Sequence, residues 1–339
     1  MEQIKNNKKN YRHLLLKALL FLMLVAVADF ITGSVLKYFY FRQSSGWEYR
    51  TKYSIEDTKA EVLIFGASRA QQQYNPLFIE DSLQQTCYNV GRDGMPLFYH
   101  YAVLQAVLKR YTPKMIILDC EYGALRDATS SYERISCLLP YYNDHPEMRP
   151  VIELRGPFEK YKFFSKIYPY NSLILKIGVG NLELNKKRHE DIQGYLELTH
   201  SLHEPIKTID NSVPYDLDTM KINMLKSFID DCKKKEIKLF LVCSPYYLNS
   251  IGTDYSLAVT KQIAAEKNID FLDYSKEKLF LSSPQLFDDT VHVNSSGSKI
   301  FSAMIAHDLK QKTGSNNFLQ LANLLKNSLL IIKNSIGRA

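Results

Sequence analysis

The chain has 339 residues, 45% hydrophobic and 12% aromatic, enough for one large domain or two ordinary ones with a substantial core. Its net charge of +7 sits at the ends. Residues 1–43 carry seven Lys/Arg against Glu2 and Asp29, residues 310–339 carry five and no acid, and the body between is slightly acidic. A nucleic-acid-binding body would need its basic patch on the folded domain, so this placement argues against one. Basic ends suit an anionic membrane surface instead. The five cysteines (Cys87, Cys120, Cys137, Cys232, Cys243) form no CxxC pair and no metal-ligand spacing, and an odd number is no disulfide framework. Cys120 and Cys243 fall in apolar strand-like runs, where a buried free thiol is ordinary.

Residues 1–13 are polar and basic. Residues 18–36 then hold one charge, Asp29, over 19 positions. At about 1.5 Å per residue these span roughly 28 Å, close to a bilayer's hydrocarbon thickness. Tyr38, Phe39, Tyr40 and Phe41 follow as an interfacial aromatic belt. Lys5, Lys8, Lys9, Arg12 and Lys17 precede the segment, which predicts a single-pass anchor over 1–42 with a cytoplasmic N-terminus and an extracytoplasmic body. Ala26-Val27-Ala28 also resembles a cleavage site, so a removed signal peptide is a second reading and a soluble helix a third. The apolar run continues past that site, which favours the uncleaved anchor.

Residues 43–60 are polar and read as a linker. From position 61 strand-like runs (61–66, 87–90, 114–119, 237–243, 269–272) alternate with helical patterns (76–85, 96–110, 219–235, 255–267, 295–312). This rhythm predicts a parallel sheet covered by helices on both faces. About 90 residues interrupt it, too many for a structureless loop. The segment 124–216 is therefore an insertion, rich in aromatics (Tyr132, Tyr141, Tyr142, Phe158, Tyr161, Phe163, Phe164, Tyr168, Tyr170). Its rings could stack on a sugar as a lid, or pack a small core of their own. The stretch 313–339 repeats apolar residues at 318, 321, 322, 325, 329 and 332, one face of an amphipathic helix.

Three stretches carry chemistry. EVLIFGASRAQ (61–71) puts Ser68 just past an apolar strand, at the edge where open α/β sheets bind ligands. Ser68 reads as a nucleophile, or as a cap of the next helix. YNVGRDG (88–94) follows the second strand, and its glycines let backbone N–H groups approach a ligand, as an oxyanion hole requires, or simply make a turn. DDTVHVNSSG (288–297) holds Asp289 and His292 three apart. A carboxylate so placed accepts the imidazole Nδ1 proton and leaves Nε2 free to deprotonate a hydroxyl. An acidic loop with a chance histidine and an Asp cap is the plainer reading.

In the order Ser, Gly, Asp-x-x-His these stretches resemble the SGNH (GDSL-type) hydrolase superfamily, over roughly 60–123 and 217–312. The resemblance implies a flavodoxin-like three-layer αβα core with Ser68 as nucleophile, His292 as base and Asp289 as orienting acid. It makes the Ser68 and Gly94 amides the oxyanion hole. The family's third block usually offers an oxyanion Asn after the third strand, whereas this chain reads Asp119-Cys120-Glu121-Tyr122-Gly123. Either Tyr122 or a residue of the insertion replaces it, or the Ser68 and Gly94 amides act alone. Arg69, Asn89 and Asn294 lie in the three blocks and are candidate substrate contacts. An anchored body with a long insertion resembles members that acylate cell-envelope polysaccharides. That implies a serine esterase or O-acyltransferase without metal or cofactor, whose partners are a glycan, an acyl donor, the membrane and a membrane-bound acyltransferase. Two other functions compete. EVLIFGAS resembles the start of a dinucleotide-binding unit, but no glycine follows Gly66 until Gly91, so G-x-G-x-x-G is absent. A non-catalytic envelope scaffold or glycan-binding protein would explain the missing Asn, though not an intact Ser/Asp/His set.

Overall fold

The computed structural model describes residues 2–184 and 191–313; the helix expected over 318–336 lies outside them. Among the described residues seven strands form: β1 (Val62–Phe65), β2 (Cys87–Asn89), β3 (Met115–Asp119), β4 (Lys207–Asp210), β5 (Lys238–Cys243), β6 (Leu248–Ile251) and β7 (Asp270–Asp273). Five make one parallel sheet in the order β2-β1-β3-β5-β7, with Val62 paired to both Cys87 and Met115. β4 and β6 form a separate parallel pair. The helices that matter below are α1 (Glu2–Phe41), α2 (Gly46–Lys52), α3 (Ser68–Gln73), α4 (Pro76–Leu83), α5 (Leu97–Arg110), α6 (Ile174–Asn181), α7 (Thr219–Lys234), α8 (Tyr255–Glu266) and α9 (Ser295–Lys312).

The apolar runs became central strands because both faces of the sheet are covered. Alternation splits β1 between two cores. Leu63 and Phe65 face the core built with α5, α7 and α8, while Val62 and Ile64 face the one built with α4 and α9. Helix starts follow side-chain capping: Asn75, Asp218, Asp254 and Asn294 each accept backbone N–H bonds at the head of α4, α7, α8 and α9. With the strand order reversing at β1, the crevice between the carboxyl ends of β1 and β3 is the topological switch point, the ordinary ligand site of such sheets.

The stretch expected as a linker is instead helical from Gly46 to Asp57 and packs on the body. Ile55 is fully buried, and the polar residues that suggested a linker are buried in pairs. Arg92 lies 3.8 Å from Glu48 and Arg50 lies 3.4 Å from Asp191. Partners distant in sequence, invisible to local composition, stand opposite these charges.

The segment 124–216 divides. Its first part is a run of short helical turns whose Ile135, Leu138, Tyr141, Met148, Ile152 and Phe163 join the same core as α5. Tyr142 and Phe163 stack at 3.5 Å, and Tyr170 is buried, whereas Phe158, Tyr161 and Phe164 are exposed. Its last part returns over the carboxyl edge of the sheet as β4, beside β6. α1 contains 31 residues, Tyr11–Phe41, long and apolar enough to cross a membrane. Its final turns dock on the body: Tyr40 is buried against Tyr141 and Tyr170, and Lys37 pairs with Asp144 at 2.6 Å.

Candidate active site

The turn after β1 is set by Gly66, whose φ of +141° suits only glycine. A Cβ there would lie 2.7 Å from the Ala70 Cβ and 2.9 Å from the Asp119 Cβ, so the chain can pass between α3 and β3 only without a side chain. α3 then begins at Ser68, with Ala67 in the cap position. Ser68 is therefore not the cap, and its hydroxyl is engaged elsewhere.

Its partner comes from the far end of the chain. Ser68 Oγ lies 2.7 Å from His292 Nε2, and His292 Nδ1 lies 2.8 Å from Asp289 Oδ2. Asp289 Oδ1 accepts the Val291 and His292 N–H groups, both at 2.8 Å. Burial opposes charge on Asp289, but the His292 hydrogen bond and these two N–H groups outweigh it and hold the carboxyl below its ordinary range. A carboxylate fixed by its own loop, an imidazole fixed by the carboxylate and a hydroxyl within reach of the free nitrogen form an arrangement in which Nε2 can accept the hydroxyl proton. His145 also meets carboxylates, Glu147 at 2.8 Å from Nδ1 and Glu56 at 3.8 Å from Nε2, so both of its ring nitrogens face acids.

Asn294 holds this loop in place. Its Oδ1 caps α9 through the Ser296 and Gly297 N–H groups, and its Nδ2 donates to the His200, Gln285 and Phe287 carbonyls. Asn89 is committed likewise: Nδ2 donates to the Ala70 and Tyr74 carbonyls and Oδ1 accepts from Gly91 N–H, which ties the second stretch to α3. Both amides are buried and spent on the fold, so neither is the substrate contact expected from sequence. Arg69 lines the site but turns inward. Its guanidinium lies 3.3 Å from the Tyr246 ring centroid, donates to Ser244 and Pro245, and sits 3.8 Å from Asp119.

The second stretch comes back over α3. Arg92 N–H donates to the Gly66 carbonyl at 3.0 Å, and Asp93 N–H to Gln71 Oε1 at 3.1 Å. Gly94 follows with φ +66°, its carbonyl held by Arg134. Among the described residues neither the Ser68 nor the Gly94 amide has a hydrogen-bond acceptor. Tyr122 differs from expectation. Its amide donates to the Tyr246 hydroxyl at 2.9 Å and its ring stacks on Tyr246 at 4.2 Å, so it walls the site and has no free backbone donor.

Glu121, one residue earlier, is what the sequence reading passed over. It lies just beyond β3 at the switch point and lines a cavity of about 490 Å³ together with Ser68, Tyr122, Arg126, Tyr246 and His292. Burial pushes its carboxyl up to about 7; Arg69 and His292 pull against that, and Asp119 and Asp93 add to it. The available signal was a carboxylate between an apolar strand and a glycine, where the family resemblance called for a neutral amide. A second, more polar cavity of about 550 Å³ shares Arg126, Asn211 and Asp254 with the first. Together they make a groove running from Ser68 past β4. Among the described residues no group of three or more His, Cys, Asp or Glu side chains is placed to hold a metal ion, and all five cysteines are free and buried.

No family model and no curated protein matches the chain. Solved structures similar to it include an acetyl xylan esterase, AlAXEase, at 14% identity and TM-score 0.36, the match covering 74% of this chain and 98% of that one. They also include a putative acylhydrolase from Bacteroides fragilis at 12% identity and TM-score 0.39, covering 80% and 99%.

Proposed function

We propose that the protein is a serine esterase or O-acyltransferase of SGNH type that works on acyl esters of a cell-envelope glycan. The observation that carries this reading is the 2.7 Å approach of Ser68 Oγ to an imidazole whose other nitrogen is bound by Asp289. Ser68 Oγ attacks the acyl carbonyl carbon while His292 Nε2 takes the hydroxyl proton. The tetrahedral intermediate collapses, the C–O bond to the departing alcohol breaks, and His292 returns the proton to that oxygen. Water or a sugar hydroxyl then attacks the acyl-Ser68 ester, again losing its proton to His292, and Ser68 leaves with that proton. Asp289 holds the imidazole tautomer and stabilises the transient imidazolium.

The oxyanion receives the Ser68 and Gly94 N–H groups, and Glu121 supplies the third donor as a neutral carboxylic acid. A carboxyl kept protonated by burial is able to donate where a carboxylate would repel. The polar groove past Arg126, Asn211 and Asp254 suits a hydroxyl-rich polymer better than an apolar ester. In this reading α1 crosses the membrane with the basic residues 5–17 in the cytoplasm and the body outside. A membrane-bound acyltransferase is then a fitting source of acyl groups.

The test is turnover of an activated acetyl ester by the full chain in detergent. Ser68→Ala is expected to lower kcat by about 10³ or more. Equal turnover by the two proteins rejects the reading.

A further inference from the structure

α6 turns apolar side chains outward as well as inward, with Lys176 its one charged residue. Leu173, Ile177 and Gly180 are buried against the body, yet Ile174 is 52% exposed and Leu175 84% exposed. Apolar side chains on the face turned away from the body favour an apolar medium on that face too. The same region exposes Phe158 (70%), Phe164 (86%) and Leu182 (70%). Monomeric soluble proteins seldom leave so many large apolar side chains together in water.

The position of this patch tells what covers it. The loop 165–167 is bound to the membrane-length helix itself. Asp29 Oδ1 accepts from Ser165 Oγ at 2.5 Å and from the Ile167 amide at 3.3 Å, and Oδ2 accepts from the Lys166 amide at 2.6 Å. One turn on, a Cβ at Gly33 would overlap the Lys166 backbone, so the loop lies directly against the helix. Further up, Asn181 at the end of α6 donates to the Phe39 carbonyl at 2.8 Å. These contacts fall between Asp29 and Phe39, and Asp29 and Gly33 lie within the apolar window. They are about 12 to 18 Å before the end of α1 at 1.5 Å per residue. Asp29, an acid in an apolar run, is matched by the loop's hydroxyl and amides rather than left to lipid. Lys160 and Lys166 stand exposed on the same segment, as an anionic headgroup layer favours.

We infer that residues 158–184 form a foot that enters the outer leaflet beside α1, with Phe164 and Leu175 in contact with acyl chains. This rests on the reading that α1 spans the membrane. The foot gives the body a second attachment, so that it stands on the bilayer in one orientation rather than swinging on a tether.

The experiment uses the full chain, with Trp47→Phe, in bilayers of phosphatidylcholine and phosphatidylglycerol with or without brominated acyl chains. Single tryptophans are placed by Phe164→Trp, Leu175→Trp, Leu22→Trp in α1 and Tyr255→Trp on α8. Brominated lipid is expected to quench the two foot probes and the α1 probe by more than half and to leave the α8 probe unchanged. Quenching at position 22 with none at 164 and 175 overturns the foot alone. No quenching at any of the three overturns the spanning reading and the foot with it. Foot probes shielded from acrylamide but not quenched by brominated lipid overturn it in favour of a protein partner.

Discussion

In the proposed reaction, Glu121 is the residue on which the chemistry turns most sharply. Its carboxyl holds a proton up to about 7 because burial disfavours the charge, while Arg69 and His292 only partly restore it. A donor that deprotonates near neutrality gives activity an alkaline limb. Turnover of an acetyl ester by the wild type is expected to fall above about pH 7, and Glu121→Gln, whose amide donates at every pH, to remove that fall. Glu121→Ala is expected to cost about 10² to 10³ in kcat, as loss of one oxyanion donor does. Stability moves the same way. The unfolded chain gives up this proton first, so folding is weakened as pH rises from the ordinary carboxyl range to about 7. Glu121→Gln is expected to raise Tm at pH 8 and leave it unchanged at pH 4, measured by thermal denaturation. A flat wild-type profile with an unaltered Glu121→Gln contradicts the proton-donor role.

Among the elements, α9 matters less for its length than for its first residues. Asn294 caps it and in the same stroke fixes the loop that carries Asp289 and His292. Replacing it by Ala removes a cap and leaves the His200 and Gln285 carbonyls short of a donor. Asn294→Ala is expected to lose about 2 kcal/mol in chemical denaturation, summing cap and buried amide bonds. It is expected to lower kcat as well, since the imidazole no longer has one position; unchanged kcat would separate the cap from the site. Asn89 does the equivalent for α3 and the turn before Gly94. Two residues expected to touch substrate thus turn out to hold the elements around Ser68 and His292. Sequence gives their neighbourhood correctly, but not whether an amide points at ligand or at backbone.

In the molecule as a whole, α1 is joined to the body and is not merely its leash. Asp29 accepts the Lys166 and Ile167 amides across 137 and 138 positions of chain. Asp29→Ala is expected to speed hydrogen exchange at those two amides by an order of magnitude or more, read by mass spectrometry on the bilayer-reconstituted protein; unchanged protection would mean the loop holds without α1. The alternating runs between 61 and 312 already dictated the sheet, because a strand covered on both faces must be apolar throughout and a covering helix must be apolar on one side. The Asp289–His292 contact and the place of Ser68 at the end of β1 were legible too, since Asp-x-x-His is a local spacing and the end of the first strand is a fixed place in this architecture. Folding in space settled the rest. It buried the Glu121 carboxyl at the cavity and tied up the Tyr122 amide, turned Arg69 inward, drew 43–60 onto the body and laid 158–184 against α1. Each of those outcomes depends on a partner at least 20 residues away, and no local pattern of side chains records where such a partner will stand.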